Sequence, residues 1–250
     1  MLLIGNGGFK TGSTWVYALA RDLLRSRDLP SHLRREDWKN SSFAFERTDE
    51  VLEFVEQSGG RYHAKVHFNR PAERERLLEA GDFLKVLTVL RDPRDIVVSA
   101  FFHYERHKKV DPETTFAEFF WAERKISAAS VLRRYREYAE TWAIDSPNVF
   151  RTSYERLSSA PGVEVRRLAN TLGVHVSNEK VANTVSRSSF ENMGGGVVVG
   201  HRRKGTVGDH ESHFTEDMHR HFEQNPVFLD LYDRWNRDLP ELGLIAETGQ

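Results

Sequence analysis

Between Gly5 and Thr14 the chain reads Gly-Asn-Gly-Gly-Phe-Lys-Thr-Gly-Ser-Thr. Gly5, Gly7, Gly8 and Gly12 let backbone come close to a ligand, Lys10 adds a full positive charge, and Ser13 and Thr14 add hydroxyl donors. Those residue types in that order are chemistry for holding an anion. The flanking sequence supplies the supports. Leu2-Leu3-Ile4 is a short apolar run that reads as a buried strand, and Trp15 to Leu24 has the apolar spacing of a helix opened by Ser13 and Thr14. A strand, a glycine loop and a helix N-terminus together turn free N–H groups and the positive end of the helix dipole toward a negative ligand. The ligand this implies is a nucleotide phosphate.

The order of residues discriminates between nucleotides. A nucleoside triphosphatase loop carries its lysine after the last glycine, as Gly-x-x-x-x-Gly-Lys-Ser/Thr, whereas Lys10 precedes Gly12 by two residues. The dinucleotide fingerprint also fails, because Lys10 stands where a third glycine belongs. Phe9-Lys10-Thr11-Gly12-Ser13-Thr14-Trp15 instead resembles the 5′-phosphosulfate loop of sulfotransferases that use 3′-phosphoadenosine 5′-phosphosulfate (PAPS), commonly written Pro-Lys-Ser-Gly-Thr-Thr-Trp. Phe9 replaces the proline, and Thr11 and Ser13 are exchanges between hydroxyl residues.

Two further segments resemble motifs of the same family. Arg91-Asp92-Pro93-Arg94-Asp95, with Ser99 eight residues after the arginine, is similar to its 3′-phosphate motif. An arginine at a strand end offers a fork of donors to a phosphate, and Ser99, read as about one turn into the next helix, can reach the same group. The bland alternative makes Arg91 and Asp95 a helix cap and surface ion pairs. Near the C-terminus, Arg202-Arg203-Lys204-Gly205-Thr206-Val207-Gly208-Asp209-His210 resembles Arg-Lys-Gly-x-x-Gly-Asp-Trp, with His210 in place of the tryptophan. A glycine-flanked basic loop can fold over an anion; its alternative is a solvated, mobile loop.

On these three motifs the chain is identified as a member of the PAPS-dependent sulfotransferase family, cytosolic type. The resemblance implies an α/β fold: a single domain over residues 1–250 with a P-loop-like parallel β-sheet flanked by α-helices. It implies PAPS as co-substrate, 3′-phosphoadenosine 5′-phosphate (PAP) as product, and no metal. It puts Lys10, Thr11, Gly12, Ser13, Thr14, Arg91, Ser99, Arg203, Lys204 and Gly205 at the co-substrate. Trp15 is expected to stack on adenine, with Tyr154 (in Ser-Tyr-Glu-Arg-Leu) and the pair Ser188 and Phe190 (in Ser-Ser-Phe-Glu-Asn-Met) on the adenine side. Ordinary core packing is the alternative for each aromatic.

The implied reaction moves a sulfuryl group from PAPS to a hydroxyl or amine by in-line displacement, which depends on positioning and charge stabilisation. Lys10 and the loop N–H groups would neutralise charge on the leaving phosphate. Lys65-Val66-His67 resembles the Lys-Thr-His of cytosolic members, where the histidine is the base and the lysine lies near the sulfate. Residues two apart on a strand share a face, so Lys65 and His67 both face the cleft. The family's Leu-Pro after that histidine is Phe68-Asn69 here. His63 on the same face, and Glu46 or Glu50 upstream, are alternative bases.

The elements that must carry these residues alternate along the chain. Strands are expected at 61–68, 83–90 and 147–152, and helices at 51–57 (capped by Asp49), 71–80, 96–107, 116–124, 126–142, 161–172 and 178–185. Residues 25–48 read as irregular, 188–208 as a loop, and 214–237 as two helices split near Pro226. Strands separated by helices give a parallel sheet. Ligands bind beyond its carboxyl edge, where the first loop, the Arg91 turn and the segment after Phe150 fall. The Gly194–Gly208 stretch is expected to order when nucleotide binds.

Composition bounds the rest. The 250 residues are 29% charged with a formal net charge of −1, so any anion site is built locally, and a general nucleic-acid partner is not expected. There is no cysteine, which excludes thiolate chemistry and cysteine-ligated zinc. No apolar run approaches membrane-spanning length, a glycine at residue 5 argues against a signal peptide, and a cytoplasmic protein is the default. A P-loop kinase using ATP and magnesium, with Asp92 as the metal aspartate, and a catalytically silent PAP-binding module are the rival readings. The acceptor is read as a small molecule, glycolipid or sugar, walled by 31–60, 100–125 and 190–212 with Trp38, Phe43, Phe45, Phe101, Phe102, Tyr104 and Trp121. The family's dimerisation segment finds no match after His210, which leaves the oligomeric state open.

Overall fold

In the computed structural model, which describes residues 1–36, 41–188 and 205–239, the short apolar runs pair as five parallel strands. They are β1 (Leu2–Asn6), β2 (Arg27–Asp28), β3 (Tyr62–Val66), β4 (Leu84–Leu90) and β5 (Val149–Ser153), in the order β2-β3-β1-β4-β5. The chain starts at the centre of the sheet, builds β2 and β3 on one side, then crosses to build β4 and β5 on the other. The carboxyl end of β1 is therefore the point where the winding reverses, which is where open α/β sheets bind ligands. The register brings Asn6 level with Val66 of β3, Gly5 level with Leu87 of β4, and Leu90 level with Ser153 of β5.

Alternation along the strands feeds two cores. Leu2 and Ile4 pack on one face with Ala64, Val66, Val86 and Leu90, under helices α4 (Pro93–Arg106) and α6 (Ala128–Trp142). Leu3, Leu87, Val89 and Phe150 pack on the other, under α1 (Ser13–Leu24), α8 (Pro161–Thr171) and α9 (Asn178–Arg187). The remaining helices are α2 (Thr48–Ser58), α3 (Pro71–Leu78), α5 (Phe116–Trp121), α7 (Tyr154–Ser159), α10 (Glu216–Gln224) and α11 (Val227–Arg237). Among the described residues no helix is long and apolar enough to cross a membrane.

Several boundaries differ from the sequence reading for local reasons. Helix α4 starts at Pro93 because Asp92 caps it, its side chain accepting from the Arg94 N–H at 2.9 Å. Ser99 is therefore nearly two turns into the helix, on the face it shares with Asp95 and Phe102. Asp49 is not a cap: α2 begins at Thr48, and Asp49 pairs with Arg76 of α3. Two elements carry too little pattern to be read from sequence. Strand β2 is two exposed residues, held where Arg27 N–H donates to Arg61 O at 2.9 Å. Helix α7 is a six-residue segment capped by Ser153.

Candidate active site

The loop after β1 is shaped by left-handed turns and close approaches of its backbone. Lys10 and Gly12 both have left-handed backbones, with φ of 65° and 92°. A Cβ on Gly12 would meet the Tyr154 ring at 2.5 Å, and one on Gly7 would fall 1.9 Å from the Ser13 Cβ. The tight turn delivers the chain into α1 with Gly12 as N-cap and without a side-chain cap, so the first amides of the helix remain for an external acceptor. Both Thr11 donors go to Gly8 O, its hydroxyl at 3.0 Å and its amide at 3.4 Å. Its side chain, expected at the co-substrate, thus shapes the loop from the inside. Ser13 is buried against Gly7.

Three of the expected catalytic side chains meet at this loop. Lys65 Nζ donates to Thr14 Oγ1 at 2.5 Å, at the start of α1. Burial lowers the Lys65 pKa to about 8. Lys10 is also lowered to about 8, first by burial and then by the positive charges of Arg91, Arg106 and Lys65. A concentration of cations this strong, in a chain with a net charge of −1, is an environment that favours an anion. His67 follows β3 directly, and its Nδ1 lies 2.6 Å from Gly7 O. A carbonyl can only accept, so Nδ1 carries the proton and Nε2 carries the lone pair in the neutral ring. The His67 side chain reaches solvent while protein crowds around it, and this crowding lowers its pKa, with Lys65 adding to the effect and the Gly7 bond opposing it. At neutral pH the ring is neutral and able to take a proton.

The β4 and β5 ends supply the second half. Arg91 is 7% exposed and held on three sides. Its Nη2 donates to Asp95 Oδ2 at 3.1 Å and to Thr206 O at 2.7 Å, and its guanidinium lies over the Tyr154 ring at 4.3 Å. Its Nε is buried without a hydrogen-bond partner among the described residues. Tyr154 also meets Trp15 edge-on at 5.6 Å and donates its hydroxyl to Gly205 O at 2.8 Å. The row Trp15–Tyr154–Arg91 thus joins the first loop, the β5 end, the β4 end and the Gly205 turn. The surface ion pair that the bland alternative gave Arg91 and Asp95 is a buried one. Asp92 is engaged by Arg94, from Nη2 at 2.7 Å and Nε at 3.0 Å, which leaves it unsuited to the metal role of the kinase reading.

Other expectations fare differently. Phe190, Arg203, Lys204 and Trp38 lie outside the described residues, as does most of the Gly194–Gly208 stretch. Ser188 is buried as the C-cap of α9, with its N–H on Thr184 O at 3.1 Å; no described contact joins it to Trp15. His63 is not an alternative base: Ser26 Oγ sits 3.0 Å from its Nδ1 and Asp28 Oδ1 sits 2.8 Å from its Nε2, which pins β2 to the sheet. Glu50 is forked to Arg47 on the surface at 2.8–2.9 Å. Of the aromatics expected to wall an acceptor cleft, Phe43, Phe101 and Tyr104 are core, whereas Phe45 and Phe102 are half-buried and Trp121 is exposed. Phe9, in the family's proline position, stacks on Tyr104 at 5.4 Å and meets His103 edge-on at 5.3 Å.

Sequence reasoning missed the supports behind the loops. Asn6 exchanges two hydrogen bonds with the Phe68 backbone, at 3.0 and 2.8 Å, fixing β1 to the His67 segment. Tyr138 of α6 donates to Asn6 O at 2.9 Å and accepts from Val89 N–H at 3.1 Å, and Trp142 Nε1 donates to Phe68 O at 2.8 Å. Only their place in an amphipathic helix was visible in sequence.

Fold and site together define a parallel α/β protein with clustered cations and uncapped helix amides at the carboxyl edge of its sheet. A family model described as "Sulfotransferase domain" matches residues 7–226, and the chain belongs to that family. Sulfotransferase 6B1 of Danio rerio is 28% identical over 149 residues, covering 56% of this chain and 50% of that protein. The chain thus spans about half the length of this relative and of sulfotransferase 1C2 of Oryctolagus cuniculus. Sulfotransferase 1A1 of Bos taurus is 24% identical over 249 residues, covering 90% of this chain and 83% of that one. Mouse sulfotransferase SULT7A1, solved in complex with PAP, superposes with a TM-score of 0.64 at 17% identity, over 93% of this chain and 87% of that one. Retinol dehydratase, solved with androsterone and the inactive cofactor PAP, gives 0.62 at 18% identity, over 96% and 82%. These structural likenesses carry the fold.

Proposed function

We propose that this protein transfers a sulfuryl group from PAPS to a hydroxyl or amine of a small-molecule, glycolipid or sugar acceptor, releasing PAP. The observation that carries the reading is the convergence of Lys10, Lys65 and His67 on the Gly7–Thr14 loop, across from a buried Arg91 whose Nε has no partner among the described residues. The residues fit the co-substrate. The loop amides and Lys10 suit a 5′-phosphosulfate, and Arg91 suits a 3′-phosphate. The half-buried Trp15 suits a base. The family membership and the PAP-bound relatives point the same way.

PAPS supplies an activated sulfuryl group with a phosphate as its leaving group. His67 accepts the acceptor's proton at Nε2, while the Gly7 carbonyl fixes the ring and its tautomer. Lys10 balances the charge that gathers on the leaving oxygen. Lys65, tied to Thr14, holds a second cation beside the transferred group.

The test compares thermal shifts with PAP, AMP and magnesium ATP, followed by sulfuryl transfer from PAPS to a panel of alcohols. A ligand at about a hundred times its dissociation constant adds about 2.7 kcal/mol, a shift of several degrees for a chain of this size. PAP is expected to give that shift and AMP little. Stabilisation by magnesium ATP with none by PAP would overturn the proposal.

A further inference from the structure

Arg91 meets a phosphate only if its fork is held at the right angle, and the structure holds it through Asp95. Asp95, one turn further along α4, is fully buried and accepts four hydrogen bonds. Its Oδ2 takes one from Arg91 Nη2 at 3.1 Å and one from the Gly208 N–H at 2.9 Å. Its Oδ1 takes one from the His210 N–H at 3.0 Å and one from His210 Nδ1 at 2.9 Å. Four donors on one carboxylate keep it ionised: burial raises its pKa, but the His210 and Gly208 bonds and the Arg91 charge outweigh that and hold it at about 2. Arg91 returns a second tie to the same segment through Thr206 O, and Tyr154 a third through Gly205 O. Gly205 directly follows Arg203 and Lys204 in sequence. One buried carboxylate therefore sets both the direction of the Arg91 fork and the seat of the turn that ends the basic motif.

We propose that Asp95 and His210 form a positioning pair that orients Arg91 toward the 3′-phosphate and fastens the Gly205–His210 turn over it. The pair makes recognition of the 3′-phosphate dependent on the turn being docked. His210, standing where the family motif has tryptophan, serves here through its Nδ1–H rather than as an apolar plug. The proposal rests on Arg91 being the 3′-phosphate residue, and the experiment separates the two claims.

The readout is the preference for PAP over AMP, measured by calorimetry, which isolates the 3′-phosphate from the rest of the nucleotide. Arg91→Ala is expected to abolish the preference. Asp95→Asn, whose amide would face donors on both sides, and His210→Phe, which keeps a ring but no donor, are expected to lower it about tenfold, the scale of one lost charge-assisted bond. AMP affinity should stay within about twofold in both, and His210→Asn, which keeps a donor near the Nδ1 position, should restore the preference. If Arg91→Ala leaves the preference intact, the 3′-phosphate assignment fails. If Arg91→Ala removes it while Asp95→Asn and His210→Phe retain it, the positioning pair is overturned. It is also overturned if PAP and AMP weaken equally, or if His210→Asn loses as much as His210→Phe, since both results describe packing alone. Should Asp95→Asn fail to fold, the two His210 variants decide the matter.

Discussion

Co-substrate binding should carry protons above pH 8, and the size of the effect follows from the site. In the free protein Lys10 and Lys65 titrate at about 8, both chiefly because burial disfavours their charge. A bound polyanion beside them returns each toward the ordinary lysine value of about 10.4. At pH 9 roughly nine tenths of each lysine is neutral in the free protein and nearly all of it is charged in the complex. Affinity for PAP therefore falls about tenfold per lysine between pH 7 and pH 9, about a hundredfold for the two, or about 2.7 kcal/mol. The phosphates of PAP do not contribute, because their second ionisation lies near pH 6. The sign for the free fold is the opposite of the sign for binding. The unfolded chain keeps these lysines protonated up to about pH 10.4, so their burial weighs against stability below pH 8 and is relieved as pH rises from 8 toward 10. The assay is calorimetry at pH 7, 8 and 9 in buffers of different ionisation enthalpy, which counts protons taken up. Close to two protons per PAP is expected at pH 9, and close to one in Lys10→Met. An affinity that is flat from pH 7 to pH 9 with no proton uptake would refute the reasoning.

Other perturbations test single links. His67→Ala should lower kcat by about 10²–10⁴ with PAP affinity unchanged, and the acid limb of the wild-type profile should lie below the ordinary histidine value of about 6.5. Gly12→Ala places a Cβ in the Tyr154 ring and a side chain at φ 92°, so PAP affinity and melting temperature should both fall, the strain alone being worth about 1–2 kcal/mol. Tyr138→Phe strands the Val89 N–H and the Asn6 carbonyl, and urea unfolding should register a loss of about 1–3 kcal/mol.

The reading from sequence was strongest where chemistry is local. The Gly5–Thr14 loop, the Arg91 turn and the Lys65–His67 pair were visible because glycine at a positive φ, arginine at a strand end and two-residue alternation leave a mark in consecutive residues. Strand β4 was legible because a strand buried on both faces is a nearly continuous apolar run. Legibility ended where structure borrows from afar. Strand β2 has no pattern of its own and exists because His63, 35 residues later, bonds Asp28. The role of His63 was misread for the same reason: its strand face was right, but its partners came from a segment that looked irregular.

The sequence alone determined the alternation of strands and helices, the anion loop and the family, because each is written in neighbouring residues whose backbone requirements admit few alternatives. Tertiary structure decided which charges are spoken for. Only the folded chain turns Arg91 and Asp95 into a buried pair, carries His210 across 115 positions to the same carboxylate, and ties His67 to Gly7 so that its Nε2 is the basic nitrogen. Charge and tautomer depend on burial and on partners distant in sequence, and no local pattern records them.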